Sequence, residues 1–425
     1  MSLVLLGTFV LLMLLGVPLA VSLGVGVIAT LLIFDIPLEL LPQSMMSSMN
    51  SFLLVAVPLF VLAGNLMAGG GISDRIFRGA EVIFGRYRGG LGQVNIAASA
   101  IFGGISGSSV ADVVSLGKIE IKAMTDHKYP RPYAAAMTMV TSTLSSLMPP
   151  SILMIIAAST ASVSVGAALA GGLGPSLVVI VVLMILNFIL SVRRGYGEVT
   201  KTPFKKGVAI VLAGIPAMGG PVIILLGMFS GLFTPTEAAA VAVIYSLLVG
   251  IYVYRDMKWR QMPKMIVDAG LTTGTILLIA MIANVASYVF TIDGLPAKVS
   301  SWLLGVSTDP IIVMLMMGVI LIIIGTVMDI VAAILLCSPV LMPAAVAAGI
   351  DPVHFVVYLV AALTLGLVTP PVGVSLFATS YVSGLPMEKI VKAAAPHYAV
   401  MVAAVLILAV FPQLILLPAQ VLTGY

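Results

Sequence analysis

The chain has 425 residues, 61% of them hydrophobic and 8% charged, with a formal net charge of +4 and a mean hydropathy of +1.22. A soluble protein carries about a quarter charged residues because its surface must be wet, so this composition excludes a soluble enzyme and points to a surface facing lipid. The positive charge is too sparse and too dispersed for nucleic-acid binding, and with Cys337 alone neither an intrachain disulfide nor a cysteine metal site can form.

The N-terminus is apolar from the start, with no basic n-region and further apolar segments directly behind it. Residues 2–18 therefore read as a first span, not as a cleaved leader. Further spans are expected at 20–34, 51–69, 133–162, 165–192, 207–230, 235–254, 265–290, 352–382 and 392–418. Segments 90–127 and 310–349 are apolar but interrupted near their middles.

The basic residues set the orientation. Arg75, Arg78, Arg86 and Arg88 precede the first interrupted segment, and Lys122, Lys128 and Arg131 follow it. Arg193, Arg194, Lys201, Lys205 and Lys206 mark a second basic loop. Arg255, Lys258, Arg260 and Lys264 mark a third, and Lys389 with Lys392 a fourth. With these loops cytoplasmic, only Lys298 and Lys118 depart from the positive-inside pattern, and Lys118 either snorkels or pairs with Glu120. The opposite loops carry Asp35, Glu39, Asp293, Asp309 and Asp351, which places both chain ends outside, in the periplasm of a Gram-negative cell. The basic loops are topology determinants first, although Arg86, Arg88, Lys201 and Lys205 also suit lipid head groups.

Segment 90–127 then has cytoplasmic charge on both flanks, so it enters and leaves on one side. A helix over Gly90–Phe102 measures about 20 Å, too short for a hydrocarbon core of about 30 Å. It is expected to be a re-entrant hairpin, and 310–349, flanked by acidic loops, a second one entering from the opposite face. The first breaks at Gly103–Ser109 and the second at Gly325–Asp329. Each is followed by a double proline inside an apolar span, Pro149-Pro150 within 133–162 and Pro370-Pro371 within 352–382. Asn65 and Asn284 precede the two hairpins at matching places and are expected as interhelical hydrogen-bonders standing behind the sites. Residues 51–192 and 265–418 thus read as two inverted copies of one unit. Around them lie N-terminal scaffold helices in 1–50, connecting scaffold helices in 193–264 and a tail at 419–425. The fold class is an all-α membrane protein with two re-entrant hairpins and two Pro-Pro-broken helices, the pattern of secondary transporters with a site at the repeat interface.

Non-helical backbone at membrane depth must line a cavity or meet a ligand. Freed carbonyls with nearby hydroxyls make a cage for a small hard cation, and half-helix N-termini attract an anion. Sodium suits the oxygen donors better than a transition metal, because no cluster of soft ligands is present. Each candidate has a plainer reading beside it. Ser106, Ser108 and Ser109 sit on a Gly103–Gly107 packing spacing. Asp112 and Asp329 suit half-helix N-termini, and the hydroxyls from Thr138 to Ser146 suit helix packing. Thr234-Pro235-Thr236-Glu237 reads as a capping box, so Glu237 is structural.

The run Gly231–Ala240, the tip Gly103–Ser109 and the Pro149-Pro150 and Thr369-Pro370-Pro371 elements resemble the large membrane subunit of tripartite ATP-independent periplasmic (TRAP) transporters, over essentially the whole chain. The resemblance implies sodium-driven import of an organic acid by an elevator mechanism in a bacterial inner membrane. It also implies a soluble periplasmic binding protein and a small four-helix membrane subunit, here expected as a separate polypeptide. Carried onto matching positions, a first sodium site uses Ser106, Ser108, Ser109, Ser146, Met148 and Pro150, mostly through backbone carbonyls. A second uses Gly325, Met328, Val368 and Pro370, without the serines of the first tip. The substrate carboxylate is expected between the tips, among Ser108, Ser109, Asp112, Ser151, Thr326, Asp329 and Val372. Sialic acid is the favoured cargo on overall resemblance, with C4-dicarboxylates and other carboxylates as alternatives. A stand-alone symporter without a binding protein is the competing reading. An intramembrane enzyme would need clustered catalytic groups, and His127, His354 and His397 are too dispersed. A primary pump would need a Walker A motif.

Overall fold

A computed structural model describes residues 1–49, 55–198 and 203–425. Lys201 and the first residues of the expected span 51–69 lie outside the described residues. In chain order the helices are α1 (Ser2–Leu14), α2 (Leu19–Ile33), α3 (Leu40–Met49), α4 (Ala56–Gly69) and α5 (Ile72–Phe84). Hairpin 1 comprises α6 (Gly90–Ser106), α7 (Ser109–Ser115) and α8 (Gly117–Asp126). The first broken span is α9 (Arg131–Thr141), α10 (Leu144–Leu147) and α11 (Ile152–Thr160), followed by α12 (Val165–Arg194). Then come α13 (Phe204–Phe229), α14 (Pro235–Leu248), α15 (Met262–Ile292) and α16 (Leu295–Val306). Hairpin 2 is α17 (Pro310–Val327) with α18 (Ile330–Ala347). The second broken span is α19 (Pro352–Leu367) with α20 (Val374–Ser383), and α21 (Met387–Val410) and α22 (Gln413–Thr423) close the chain. Among the described residues, 7 helices are long and apolar enough to cross a membrane, or up to 9 if each bent pair counts as one span.

The helix starts follow local chemistry. Pro310 and Pro352 occupy first-turn positions where the missing N–H costs nothing. Asp309, Asp329 and Asp351 cap the three helices that follow them, each accepting from a backbone N–H two residues on at 2.8–2.9 Å. The capping box forms as read: Glu237 N donates to the Thr234 hydroxyl at 3.3 Å, and Thr234 N donates to the Glu237 carboxylate at 2.8 Å.

The inverted repeat is visible in the packing. α11 of the first unit lies on α18 of hairpin 2, and α20 of the second unit lies on α7 and α8 of hairpin 1. Each hairpin's returning arm is therefore covered by the other unit's half-helix.

Several elements differ from the sequence reading. α5 and α16 are helices at matching places in the two units, and α4 and α5 meet at a 67° bend. α5 carries Asp74, Arg75, Arg78 and Glu81, so an apolar-run reading passes over it as a basic loop. α3 was not expected either. The segment 392–418 is not one span: the helix stops at Val410, and Pro412 opens a new one that runs through most of the expected tail 419–425. The second hairpin turn is shorter than Gly325–Asp329, because α17 continues to Val327. Glu120 makes no pair with Lys118. Among the described residues the carboxylate has no partner, while Lys118 is exposed.

The polar contacts sort the loops onto two faces. The Met1 ammonium is 3.4 Å from Asp293, Lys298 is 3.5 Å from the same carboxylate, and the Tyr425 hydroxyl is 3.4 Å from Asp351. Both chain ends thus lie with the acidic loops, and Lys298, an exception to the charge pattern, has its partner there. The basic loops pair among themselves: Arg75 meets Asp256 at 2.6 Å and stacks on Tyr254, and Lys128 meets Glu198. The Lys128 ammonium beside Glu198 holds that carboxyl below its usual range.

This arrangement predicts the outcome of a labelling experiment in a Cys337→Ser background. Asp351→Cys and Tyr425→Cys should react with an impermeant maleimide from one side of the membrane, and Lys128→Cys and Glu198→Cys only from the other. Labelling of all four from one side contradicts the two-faced topology.

Candidate functional site

At the first tip, α6 ends where Gly107 turns into the left-handed region at φ +60°, a conformation that suits glycine. The tip then presses on the broken span. A Cβ on Gly104 would lie 2.9 Å from the Pro149 carbonyl oxygen, and one on Gly103 would lie 2.6 Å from the Ser145 backbone. Ser108 is extended and caps α7, accepting from Ala111 N at 3.4 Å. Ser109 and Ser146 share a hydroxyl–hydroxyl bond of 2.6 Å, which ties the hairpin to α10, just ahead of Pro149-Pro150. Ser151 caps α11 and donates to the Ser146 carbonyl at 2.6 Å.

The second tip is held through backbone. The Thr326 carbonyl accepts from both Val372 N and Gly373 N at 3.2 Å, immediately past Pro370-Pro371. Gly325 meets Leu363 O and Gly366 so closely that an added Cβ would lie 2.6 Å from that carbonyl oxygen. The Val368 carbonyl accepts from the Tyr398 hydroxyl at 2.9 Å. Asp329 caps α18, as the alternative reading of that residue had it.

Between the tips lies a cavity of about 600 Å³. It is lined by Ser106, Ser108 and Ser109 from the first tip, Asp329, Ile330 and Val331 from the second, and Ser146, Ile152 and Leu153 around the first double proline. Its outer wall is formed by Gly64, Asn65 and Ala68 of α4 and by Thr272, Thr275 and Ile279 of α15. Because Ala68 lies near the end of α4 that leads to Arg75, the cavity extends from the tips towards the basic face.

Of the expected residues, Ser106, Ser108, Ser109, Ser146 and Asp329 meet in this cavity. Met148, Pro150, Ser151, Gly325, Thr326, Val368, Pro370 and Val372 belong to the breaks but do not line it. Met328 instead lines a second, wholly apolar cavity of about 440 Å³ between α1, α16 and hairpin 2. Asp112 is only 2% exposed and points away from the cavity that its neighbours Val110, Ala111 and Val114 line. Sequence reasoning did not select Thr272 and Thr275, which sit in an ordinary apolar span with no break beside them. Asn65 was placed behind the site and lies in its wall. Its counterpart Asn284 donates to Ser44 O at 2.9 Å, so the two asparagines have different uses.

This geometry coincides with sequence similarity over nearly the whole length. The family model of the tripartite ATP-independent periplasmic transporter, DctM component, matches residues 6–414. The chain belongs to that family. It is 35% identical to the sialic acid TRAP transporter large permease protein SiaM of Vibrio cholerae, covering 90% of each chain. It is 34% identical to the C4-dicarboxylate TRAP transporter large permease protein DctM of Pseudomonas aeruginosa, covering 92% of each. The isethionate TRAP transporter permease protein DctMQ of Oleidesulfovibrio alaskensis is 35% identical over 97% of this chain, which spans 65% of that longer protein. Among solved structures, the YdaH transporter of Alcanivorax borkumensis superposes with a TM-score of 0.65 at 14% identity, covering 88% of this chain and 89% of that one. That likeness concerns the fold alone.

In this TRAP permease chain the close seat of the second tip makes a stability prediction. Gly325→Ala should destabilise the protein by about 1–3 kcal/mol through overpacking, seen as a lower melting temperature in detergent. Gly274→Ala, where nothing lies within 4 Å of the added Cβ, should leave it unchanged or raise it. Equal melting temperatures for both variants would show that the tip is not closely packed.

Proposed function

We propose that this chain is the membrane-spanning importer of a sodium-driven TRAP system for an organic acid, operating as an elevator. The observation that carries the proposal is one cavity bounded by both hairpin tips and the first Pro-Pro loop, with Ser106, Ser108, Ser109 and Ser146 in its lining. Its volume falls within the range of about 300–1,000 Å³ typical of small-molecule sites.

The first sodium ion belongs beside Ser106, Ser108, Ser109 and Ser146, with carbonyls of Met148 and Pro150. The second belongs beside Gly325, Met328, Val368 and Pro370. Hard oxygen donors suit sodium, and the described residues contain no group of three His, Cys, Asp or Glu side chains that could hold a metal. The Val368 carbonyl already accepts from Tyr398, so one donor of the second site is shared. The substrate carboxylate sits between the tips, near the N-termini of α7 and α18, where Ser108, Ser109 and the backbone amides attract it. With no arginine in the lining, the grip on the anion is weak and favours release.

Three functional parts follow from the family reading: this chain, a small four-helix membrane subunit and a periplasmic binding protein that delivers the cargo. α13 suits the small subunit, since most of its length is not buried within the chain and Leu212 and Leu226 are exposed. The basic loops face the cytoplasm, the chain ends face the periplasm, and the cavity is then inward-facing. Transport moves both hairpins and both broken spans against the remaining helices. The relatives named for sialic acid, C4-dicarboxylates and isethionate match at 35%, 34% and 35% identity, so similarity ranks none of them. Sialic acid is the first cargo to test.

In proteoliposomes holding this chain and its small subunit, uptake of radiolabelled sialic acid should require both an inward sodium gradient and the binding protein. Uptake of a different carboxylate under the same two requirements corrects the cargo. Uptake without the binding protein makes the chain a stand-alone symporter, and uptake indifferent to sodium removes the cation sites. Ser109→Ala removes one side of the Ser109–Ser146 bond, and Ser108→Ala removes the cap. Each should raise the sodium concentration for half-maximal uptake roughly tenfold or more, as expected for loss of a charge-assisted oxygen contact. Unchanged sodium dependence in both would take the first tip out of the coupling.

A further inference from the structure

Behind the first tip lies a second polar cluster that the cavity does not use. Asp112 of α7 and Glu120 of α8 are 2% and 0% exposed, inside a hairpin that packs among apolar helices. None of their four carboxylate oxygens has a hydrogen-bond partner. Among the described residues, no ion pair reaches either acid. The two are electrostatic neighbours, with Ser99 beside both, Ser145 beside Asp112 and Thr138 beside Glu120. Two unpaired carboxylates buried together cost far more than ordinary packing returns, so the pair needs bound protons or a bound cation.

The surrounding hydroxyls do not supply one. The Ser99 hydroxyl donates to Thr141 at 3.3 Å, and the Ser145 hydroxyl donates to the Ser99 carbonyl at 3.3 Å. Asn95 spends its amide on Thr138 at 2.7 Å. The Ser99 and Ser145 protons are thus spent elsewhere, while Thr138, which accepts from Asn95, keeps one proton for Glu120, a neutral donor that leaves the pair without a counter-charge. The charged groups on the neighbouring elements also point elsewhere. Lys118, Lys122 and Asp126 of α8 are exposed, His127 bonds Ala123 O, and Arg131 of α9 donates to Ser383 O. The sequences of α6, α10 and α20 contain no charged residue.

We propose that Asp112 and Glu120, with the hydroxyl oxygens of Ser99, Thr138 and Ser145, form a further sodium site inside hairpin 1, separate from both tips. The oxygen-only donor set selects a hard cation, and sodium as that cation rests on the sodium-coupled reading above. α7 is the partition: Ser109, Ala111 and Val114 face the cavity while Asp112 faces the pair, and Ser146 and Ser145 divide in the same way. One sodium ion at the pair leaves a single net negative charge, or none if the two acids also share a proton, and holds α7 and α8 against α6 and α9. This assigns Asp112 to cation binding and not to substrate contact.

Equilibrium binding of radioactive sodium to the purified full chain, with choline holding ionic strength constant, tests the assignment. Asp112→Asn and Glu120→Gln should each bind one ion fewer than the unaltered protein, while Ser109→Ala changes a different ion. Thr138→Val keeps both carboxylates and should weaken one class of sodium about tenfold, the effect of losing one oxygen contact. It decides the matter if the acid variants do not fold. An unchanged count in the acid variants, or unchanged affinity in Thr138→Val, overturns the further site while leaving the tips intact. No sodium bound by the unaltered chain overturns this site and the sodium-coupled reading together. Displacement of the ion by calcium at equal concentration would make the site divalent and also overturn it.

Discussion

Every unpaired backbone amide or carbonyl inside a hydrocarbon core must find a partner within the protein, and this chain interrupts its helices at membrane depth in four places. The architecture is organised by how those interruptions are satisfied. Each hairpin tip is set against the Pro-Pro loop of its own unit. Thr326 O receives Val372 N and Gly373 N at the second tip. Ser109, Ser146 and Ser151 close the corresponding gap at the first through hydroxyls. The glycines at 103, 104 and 325 are there because the backbones meet too closely for a Cβ. A break that is satisfied in this way becomes a rigid, polar platform, which is what a transport site requires.

The two units are alike in plan and unlike in chemistry. The first tip offers hydroxyls to the cavity, whereas the second offers a capping aspartate and apolar side chains. Asn65 lines the cavity while Asn284 braces α3. Asp329 uses its carboxylate on its own helix N-terminus, while Asp112 sits one helix layer behind the cavity with its oxygens free. Duplication supplied the geometry of a central site, and divergence left the polar burden mainly with hairpin 1.

The hairpins, the broken spans and the capping box were legible because each rests on a strong local rule: charge on both flanks, proline in an apolar run, or Thr followed by Glu at the right spacing. The elements that escaped are those where two rules compete. α5 has polar residues on one face, so an apolar-run criterion rejects it although Ile76, Phe77 and Ala80 on its other face are buried, and α16 is a short helix interrupted by Lys298, Ser300 and Ser301. Pro412 follows a long apolar segment that otherwise continues without a break, and hydropathy alone does not show that the helix restarts there. Serines of the first tip line the cavity because the break forces them there. Asp112 does not line it, because whether a side chain on a short half-helix faces the cavity or the opposite side depends on tertiary packing. Thr272 and Thr275 enter the site only because α15 crosses in front of the tips, a long-range fact that no local motif carries.

The most direct test of the account is whether the tips move as a body against α15. Spin labels at Val110 and Thr275, both in the cavity wall, report that distance in the membrane-embedded protein. Without binding protein, one short distance is predicted, matching the arrangement in which both residues line one cavity. With sodium, substrate and binding protein present, a second and clearly longer population should appear as the hairpins shift relative to the scaffold. A single unchanged distance under all of these conditions would contradict an elevator and leave the cavity as a fixed feature of the fold.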